Sequence, residues 1–179
     1  MDLVTYSFDL GEQILAHQSQ ADRKRLGQFL TPPTIARYMA QQLGPFHDGD
    51  TILDPAIGSG VLTCAVVERL VEMGRPLTLH IDGYEVASQL AQAADEVLEK
   101  AAAKASKVGI VLRSNIYDRD FIVESTSPGP LFDTLPRFDV AYNHIIANPP
   151  YFKLSRDDAR VQAIRQQLEG HTNIYTLFM

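Results

Sequence analysis

The sequence has little cysteine, no long apolar run and no excess of basic residues. Its single cysteine excludes an internal disulfide and a zinc site built from several cysteines, which fits a reducing, cytoplasmic compartment. No apolar stretch approaches the roughly 18 residues of a membrane-spanning helix. The start, MDLVTYSFDL, is acidic and lacks the basic region of a signal peptide. We therefore expect a cytoplasmic protein with no membrane partner.

The charge balance is acidic. There are 22 Asp and Glu against 16 Lys and Arg, a formal net charge of −6. Proteins that hold a polyanion usually carry a basic face, so this balance argues against strong nucleic-acid binding by this chain alone. The 179 residues, 45% of them hydrophobic, are enough for one domain with a sizeable core.

The first 45 residues predict a helical segment that precedes the main domain. One short helix is expected over roughly 9–19. A second is expected after Thr31, which can cap it, with a proline in its first turn and Gly44-Pro45 at its end. Apolar residues at helical spacing mark this second helix: Ile35, Met39 and Leu43.

From Thr51 onward, short apolar strands alternate with helical patterns. The predicted strands are TILD (51–54), LTLHIDGYE (77–85), GIVLRSN (109–115) and the start of NHIIANPPY (143–151). The predicted helices are 61–74 and 87–106, and ESTSPGP (124–130) is predicted to be a loop. This alternation is typical of an α/β, Rossmann-like parallel sheet with helices on both faces. Complete doubly wound sheets have about six strands, so 46–179 is expected to be a truncated domain.

The segment DPAIGSG (54–60) joins the first strand to a helix. Its glycines let a ligand approach the backbone, although the spacing matches neither the dinucleotide nor the phosphate-loop pattern. Asp54 at the strand end suits a ligand with a cationic group. The alternative is a capped turn without a ligand.

Glu85 ends the second strand, one strand–helix–strand unit after Asp54. In nucleotide-binding sheets, an acid at this place accepts hydrogen bonds from ribose hydroxyls. The neighbouring Val86 either covers an adenine face or belongs to the core. Without the glycine turn, Glu85 would be interpreted as a solvated carboxylate.

The turn Asn148-Pro149-Pro150-Tyr151 follows the fourth strand. Its prolines lack N–H donors, which leaves the Asn148 side-chain oxygen and the Pro149 carbonyl as acceptors. Two acceptors that hold both N–H bonds of an aromatic amine pull its nitrogen toward tetrahedral geometry and stabilise the developing charge. Tyr151 offers a stacking face for a planar base, worth about 1–3 kcal/mol. The alternative is a proline turn with an asparagine cap.

Taken in order, these motifs resemble one family. With GQFLTPP (27–33), GYEVA (83–87) and SNIYD (114–118), the chain from about residue 23 is similar to N6-adenine DNA methyltransferases of bacterial restriction–modification systems, in the gamma motif order. HTNIYTLF (171–178) is similar to the helix after the catalytic motif in type IIG-like members. The resemblance implies S-adenosylmethionine as cofactor, no metal, and methyl transfer to the N6 amine of a flipped-out adenine in DNA.

The resemblance also implies individual roles. Thr31 and the backbone around Phe29 would hold the methionine carboxylate. Asn115 would accept a bond from the cofactor's adenine, where the family usually has aspartate, and the nearby Asp118 and Asp120 leave this assignment open. The remaining implied cofactor residues are Asp54, Ala56, Gly58, Glu85, Val86 and Ile116. The implied target-base residues are Asn148, Pro149, Pro150 and Tyr151, with Asn148, Pro149 and Tyr151 catalytic.

Three alternatives remain open at this point. Protein-glutamine and RNA-guanine methyltransferases also use NPPY, although GQFLTPP favours the DNA enzymes. A non-catalytic cofactor-binding fragment is the second, and a nicotinamide-binding Rossmann domain, which would lack its GxGxxG motif here, is the third. DNA is the expected partner, mainly through regions absent from this chain, and an open edge at the fourth strand suggests self-association.

Overall fold

The computed structural model describes residues 2–17, 19, 23, 28–126, 141–151 and 157–163. Its helices are α1 (Leu3–Leu15), α2 (Pro33–Gln42), α3 (Val61–Met73), α4 (Ser88–Ala105), α5 (Phe121–Thr126) and α6 (Ala159–Ala163), with a 3₁₀ turn at Ser106–Val108. Its strands are β1 (Asp50–Asp54), β2 (Thr78–Glu85), β3 (Val111–Asp118) and β4 (His144–Ile145). Gly27, the loop residues 127–130 and the HTNIYTLF segment lie outside the described residues.

The four described strands form one parallel sheet in the order β3-β2-β1-β4. This confirms the predicted α/β class. In a parallel sheet the carboxyl ends of all strands lie at the same edge, and the turns that follow β1, β2, β3 and β4 therefore meet there. Within the part of the chain that the structure describes, no helix is long and apolar enough to cross a membrane.

Strand β4 is short, and polar side chains reinforce its place beside β1. Its ladder pairs only Ile52 with His144 and Leu53 with Ile145. Thr51 N donates to Asn143 Oδ1 at 2.8 Å, and a His144 ring nitrogen lies 3.0 Å from Asp50 Oδ2. These bonds place the turn that follows β4 next to the end of β1.

Helix α3 is the centre of the hydrophobic core. It is apolar on nearly all sides, because it packs between the sheet and the helices α1, α2 and α4. It ends at Gly74, which adopts a left-handed conformation with φ +62° as a helix-terminating glycine does. Leu3 and Ala36, from the two N-terminal helices, belong to the same core cluster.

The N-terminal helices differ from the sequence prediction in their details. Helix α1 begins at Leu3 rather than near residue 9, because Asp2 accepts a hydrogen bond from Thr5 N and caps it. Helix α2 buries Ala36 and Ala40, and the partly buried Met39 and Leu43 pack against the same core, whereas Ile35 is half exposed. Thr31 does not cap α2, whose N-cap position is Pro32.

The third crossover also differs. Strand β3 continues to Asp118, three residues beyond its predicted end at Asn115. Helix α5 then occupies Phe121–Thr126, so the first part of the predicted ESTSPGP loop is helical. Asp120 begins this helix by accepting hydrogen bonds from Ile122 N at 2.9 Å and Val123 N at 3.2 Å.

Candidate active site

A cavity of about 420 Å³ opens at the carboxyl edge of the sheet. This volume is in the range of sites that bind small organic molecules. Several segments that are distant in sequence form its walls: residues 28–31, 55–58, 84–86 and 119–121, together with Leu15, Val61, Leu62, Leu90, Asn148, Pro150 and Arg160. The cavity therefore joins the predicted motifs into one site.

The glycine turn after β1 is held from both sides. Gly58 has φ +58°, and its N–H donates to Glu85 Oε2 at 3.1 Å. On the other side, the buried Ser7 of α1 donates to the Ser59 carbonyl at 2.6 Å. A Cβ placed on Gly11 would lie 2.5 Å from Ser59 Oγ, so α1 packs directly on the turn. No motif in the sequence of α1 predicted this role.

Asp54 stabilises the turn through hydrogen bonds and does not line the cavity. It is fully buried and accepts hydrogen bonds from Thr63 Oγ1 at 3.0 Å and Ala56 N at 3.4 Å. Burial raises the pKa of Asp54 to about 7; the Glu85 charge adds to the rise, and the two hydrogen bonds oppose it. Asp54 thus shapes the backbone that a ligand meets.

Glu85 forms part of the cavity wall. Its Oε2 accepts from Gly58 N, and its Oε1 accepts from Ala87 N at 2.8 Å. Burial raises the pKa of Glu85 and outweighs the backbone N–H bonds that lower it. Each carboxylate oxygen can accept a further bond, so Glu85 suits a ligand hydroxyl. Val86 beside it is an exposed apolar side chain at the same wall.

Asn148 connects the turn after β4 to the segment before α2. Its Nδ2 donates to Thr31 Oγ1 at 2.9 Å and lies 3.5 Å from the Phe29 carbonyl. Its Oδ1 accepts from the Tyr151 hydroxyl at 2.9 Å. Asn148 and Pro150 line the cavity, as do Phe29, Thr31, Ala56 and Gly58, whereas Pro149 and Tyr151 lie next to it.

Besides Asp54, two further predicted cofactor residues are not brought to the cavity. Asn115 is level with Asp82 in the sheet and donates to Asp82 Oδ1 at 2.9 Å. Because β3 continues to Asp118, Asn115 lies three residues, about 10 Å, short of the edge where ligands bind. Ile116 is level with Gly83 and packs against the core. The structure therefore places Asn115 and Ile116 away from the cavity, because β3 continues beyond its predicted end.

The loop after β3 contributes cavity residues that were not among the predicted site residues, although Asp120 was noted near Asn115. Asp120, Phe121 and Arg119 line the cavity there. Arg160 also lines it, with Nη1 3.7 Å from Asp120 Oδ2 and a closer pair to Asp158 at 2.7 Å. The sequence signal for Asp120 and Phe121 is an acid followed by an aromatic residue in the loop that begins after Asp118, the observed end of β3.

The fold and the site define a class of protein. The structure resembles that of a Listeria monocytogenes protein assigned to the class I S-adenosylmethionine-dependent methyltransferases, with a TM-score of 0.54 and 18% identity. The match covers 99% of this chain and 50% of that one. The architecture is therefore the class I methyltransferase fold.

The family is more specific. The family model for N-6 DNA Methylase matches residues 7–170, and the chain belongs to this family. The chain is 28% identical over 163 residues to the Type II methyltransferase M.AccI of Acinetobacter calcoaceticus. It is 27% identical over 158 residues to the Type II methyltransferase M.PstI of Providencia stuartii. Each match covers 88% of this chain but only 25% and 30% of the two relatives. The resemblance predicted from the motifs is confirmed.

Proposed function

We propose that this chain carries the S-adenosylmethionine site and the target-base turn of an adenine-specific DNA methyltransferase of a restriction–modification system, acting in the cytoplasm. The observation that carries the proposal is the position of Asn148. Its amide lines the same cavity of ligand size as Glu85, a partly buried acid at the end of β2. DNA is the proposed partner, bound mainly through regions outside this chain.

The residues of the cavity fit S-adenosylmethionine. Glu85 supplies acceptors for ribose hydroxyls, and Val86 and Phe121 supply apolar walls for a purine ring. Gln28 lines the cavity, and its buried Oε1 has no hydrogen-bond partner among the described residues. A buried acceptor without a partner is costly, and an ammonium group such as that of the methionine end would satisfy it. Thr31 remains the proposed contact for the methionine carboxylate.

Asp120 takes the role that the family resemblance implied for Asn115. It lies in the first turn after β3 and lines the cavity. One of its oxygens caps α5, and the other is available to accept a bond from the amino group of the cofactor's adenine. Arg160 partly offsets its charge at 3.7 Å. We therefore place the adenine-binding end between Asp120, Phe121 and Val86.

When bound, S-adenosylmethionine supplies an electrophilic methyl group on a positively charged sulfur. The chain's own task is to hold the acceptor amine. Asn148 Oδ1 and the Pro149 carbonyl accept the two N–H bonds of the adenine amine and stabilise the positive charge that develops on nitrogen. The Tyr151 hydroxyl has to leave Asn148 Oδ1 first, and its ring then stacks on the base. The surplus proton of the methylated nitrogen passes to solvent.

A methyl-transfer assay on the full-length protein tests this proposal. With tritium-labelled methyl groups on S-adenosylmethionine, we expect label in duplex DNA as N6-methyladenine, and none in RNA or in a glutamine-bearing protein substrate. Asn148→Ala should lower kcat at least about 100-fold, since it removes an acceptor aimed at the developing charge. Asn115→Ala, the same substitution at an exposed strand position, should retain activity. Label in RNA or protein alone would refute the proposal.

A further inference from the structure

The Asn148 amide is held in one orientation by the segment before α2. Its Nδ2 is 3.5 Å from the Phe29 carbonyl and 2.9 Å from Thr31 Oγ1. A carbonyl oxygen only accepts hydrogen bonds, so the amide nitrogen, and not the amide oxygen, must face Phe29. Thr31 Oγ1 is then the acceptor of the second N–H, and this contact fixes the direction of the whole amide.

The opposite end of the amide shows why its direction matters. With Nδ2 turned toward Thr31, Asn148 Oδ1 faces the Tyr151 hydroxyl, a donor at 2.9 Å. A target amine would also approach Oδ1 as a donor. If the amide turned over, Nδ2 would meet the amine, and two donors would oppose each other. The acceptor geometry of the turn therefore depends on what holds Nδ2.

Thr31 can hold Nδ2 and still serve a ligand. It is 6% exposed, so water does not readily replace it. Its oxygen accepts from Asn148, and none of the hydrogen bonds within the described part of the chain uses its hydroxyl hydrogen. A hydroxyl has one donor and two acceptor sites, and the donor of Thr31 is therefore left for a ligand in the cavity that it lines.

We propose that Thr31 is a positioning residue for methyl transfer: its hydroxyl oxygen keeps the Asn148 amide turned with Oδ1 toward the target base. This inference rests on the proposed function of the Asn148 turn. It gives Thr31 a second role in addition to its proposed contact with the cofactor carboxylate. One side chain would then contact both the cofactor and the turn that holds the target base. Thr31 acts here through Asn148 and does not touch the reacting atoms.

Steady-state kinetics of the full-length protein separate this role from cofactor binding. Thr31→Val keeps the shape of the side chain and removes the hydroxyl, whereas Thr31→Ser keeps the hydroxyl. At saturating S-adenosylmethionine and DNA, we expect Thr31→Val to lower kcat about 10- to 100-fold and Thr31→Ser to stay within about 3-fold of the parent. Thr34→Val, the same substitution at an exposed position of α2, should leave kcat unchanged.

A second measurement needs neither cofactor nor activity. In protein labelled with ¹⁵N at asparagine, the Asn148 side-chain signals, identified by their loss in Asn148→Ala, should move and exchange faster with solvent in Thr31→Val but not in Thr31→Ser. Unchanged signals would overturn the inference, and so would a Thr31→Val protein whose only defect is a higher KM for S-adenosylmethionine. If the parent protein transfers no methyl group to DNA, the proposed function fails, and these signals still decide the role of Thr31.

Discussion

At the scale of single residues, the buried Asp54 and the partly buried Glu85 are acids with different tasks. Asp54 bonds Thr63 and the turn backbone, and it does not line the cavity. Glu85 bonds the same turn through Gly58 but presents its carboxylate to the cavity. Because the pKa of each is raised by burial, the two acids differ from solvated carboxylates at the same pH.

The raised pKa of Asp54 predicts a pH-dependent stability. Between the pKa of an unfolded aspartate, about 4, and the folded value of about 7, the folded protein keeps a proton that the unfolded chain has released. Stability from this residue therefore falls as pH rises through that window, by at most about 1.4 kcal/mol per pH unit, and levels off above it. Asp54→Asn cannot titrate at this position. As pH rises through the window, the free energy of unfolding of the variant should therefore increase relative to that of the parent.

Urea unfolding at several pH values between 4 and 9 measures this difference. Asp95→Asn, at an exposed position of α4, is the control and should show a small and constant difference. A difference between parent and Asp54→Asn that does not change with pH would show that Asp54 titrates like a solvated carboxylate.

Asp120 and Asp118 allow a matched test of the cofactor site. Asp120 lines the cavity, whereas Asp118, the last residue of β3, is exposed and outside it. Asp120→Asn can present an N–H to the cofactor's amino group in place of an acceptor, and we expect its Kd for S-adenosylmethionine to rise about 10-fold. Asp118→Asn should bind as the parent does. Calorimetric titration gives both constants, and equal affinities for the two variants would exclude Asp120 from the site.

At the scale of elements, α1 is part of the site although none of its residues resembles a binding motif. Gly11 and Ser7 meet the turn at Ser59, and the absence of a side chain at Gly11 allows the close approach. Gly11→Val should destabilise the fold by about 1–3 kcal/mol through overpacking and weaken cofactor binding by displacing the turn.

Gln13→Val is the matched control for Gly11, since it places the same residue at an exposed position of α1. Denaturant unfolding and cofactor titration should both leave this control close to the parent. If Gly11→Val proved as stable as Gln13→Val and bound the cofactor equally well, α1 would have no role in holding the turn.

The elements around the glycine turn could be predicted from the sequence, but their exact ends could not. Strands β1 and β2 and helices α3 and α4 have apolar patterns with clear glycine or polar boundaries. Strand β3 alternates exposed and half-buried residues as far as Asp118, with no glycine or proline after Asn115 to mark its end. The predicted cofactor contact was therefore placed at Asn115, within the strand, whereas the acid that lines the cavity in the third loop is Asp120, five residues further on.

At the scale of the whole molecule, the site is assembled from segments that are distant in sequence. Thr31 and Asn148 are 117 residues apart and bond directly. Motifs placed Thr31 and Asn148 among the predicted site residues, but no local pattern predicts that these two touch, because the contact depends on β4 pairing beside β1. The same holds for Ser7 and Ser59, which are 52 residues apart.

The net charge of −6 sets an expectation for DNA binding by this chain alone. Affinity for duplex DNA depends on phosphate contacts, and log K falls with log salt by about 0.9 for each contact. We expect a shallow slope, with a magnitude below about 2, for the 179-residue chain. Fluorescence anisotropy of a labelled duplex at 50–200 mM salt measures it, and a slope magnitude above about 5 would reveal a basic surface that the composition hides.

The proline after Asn148 also affects the chemical stability of the Asn148 side chain. Asparagine side chains commonly deamidate when the backbone nitrogen of the next residue attacks the amide carbon and closes a succinimide ring. Pro149 has no backbone N–H, so its nitrogen cannot make this attack. The amide on which the proposed chemistry depends is thereby protected from conversion to aspartate during long storage.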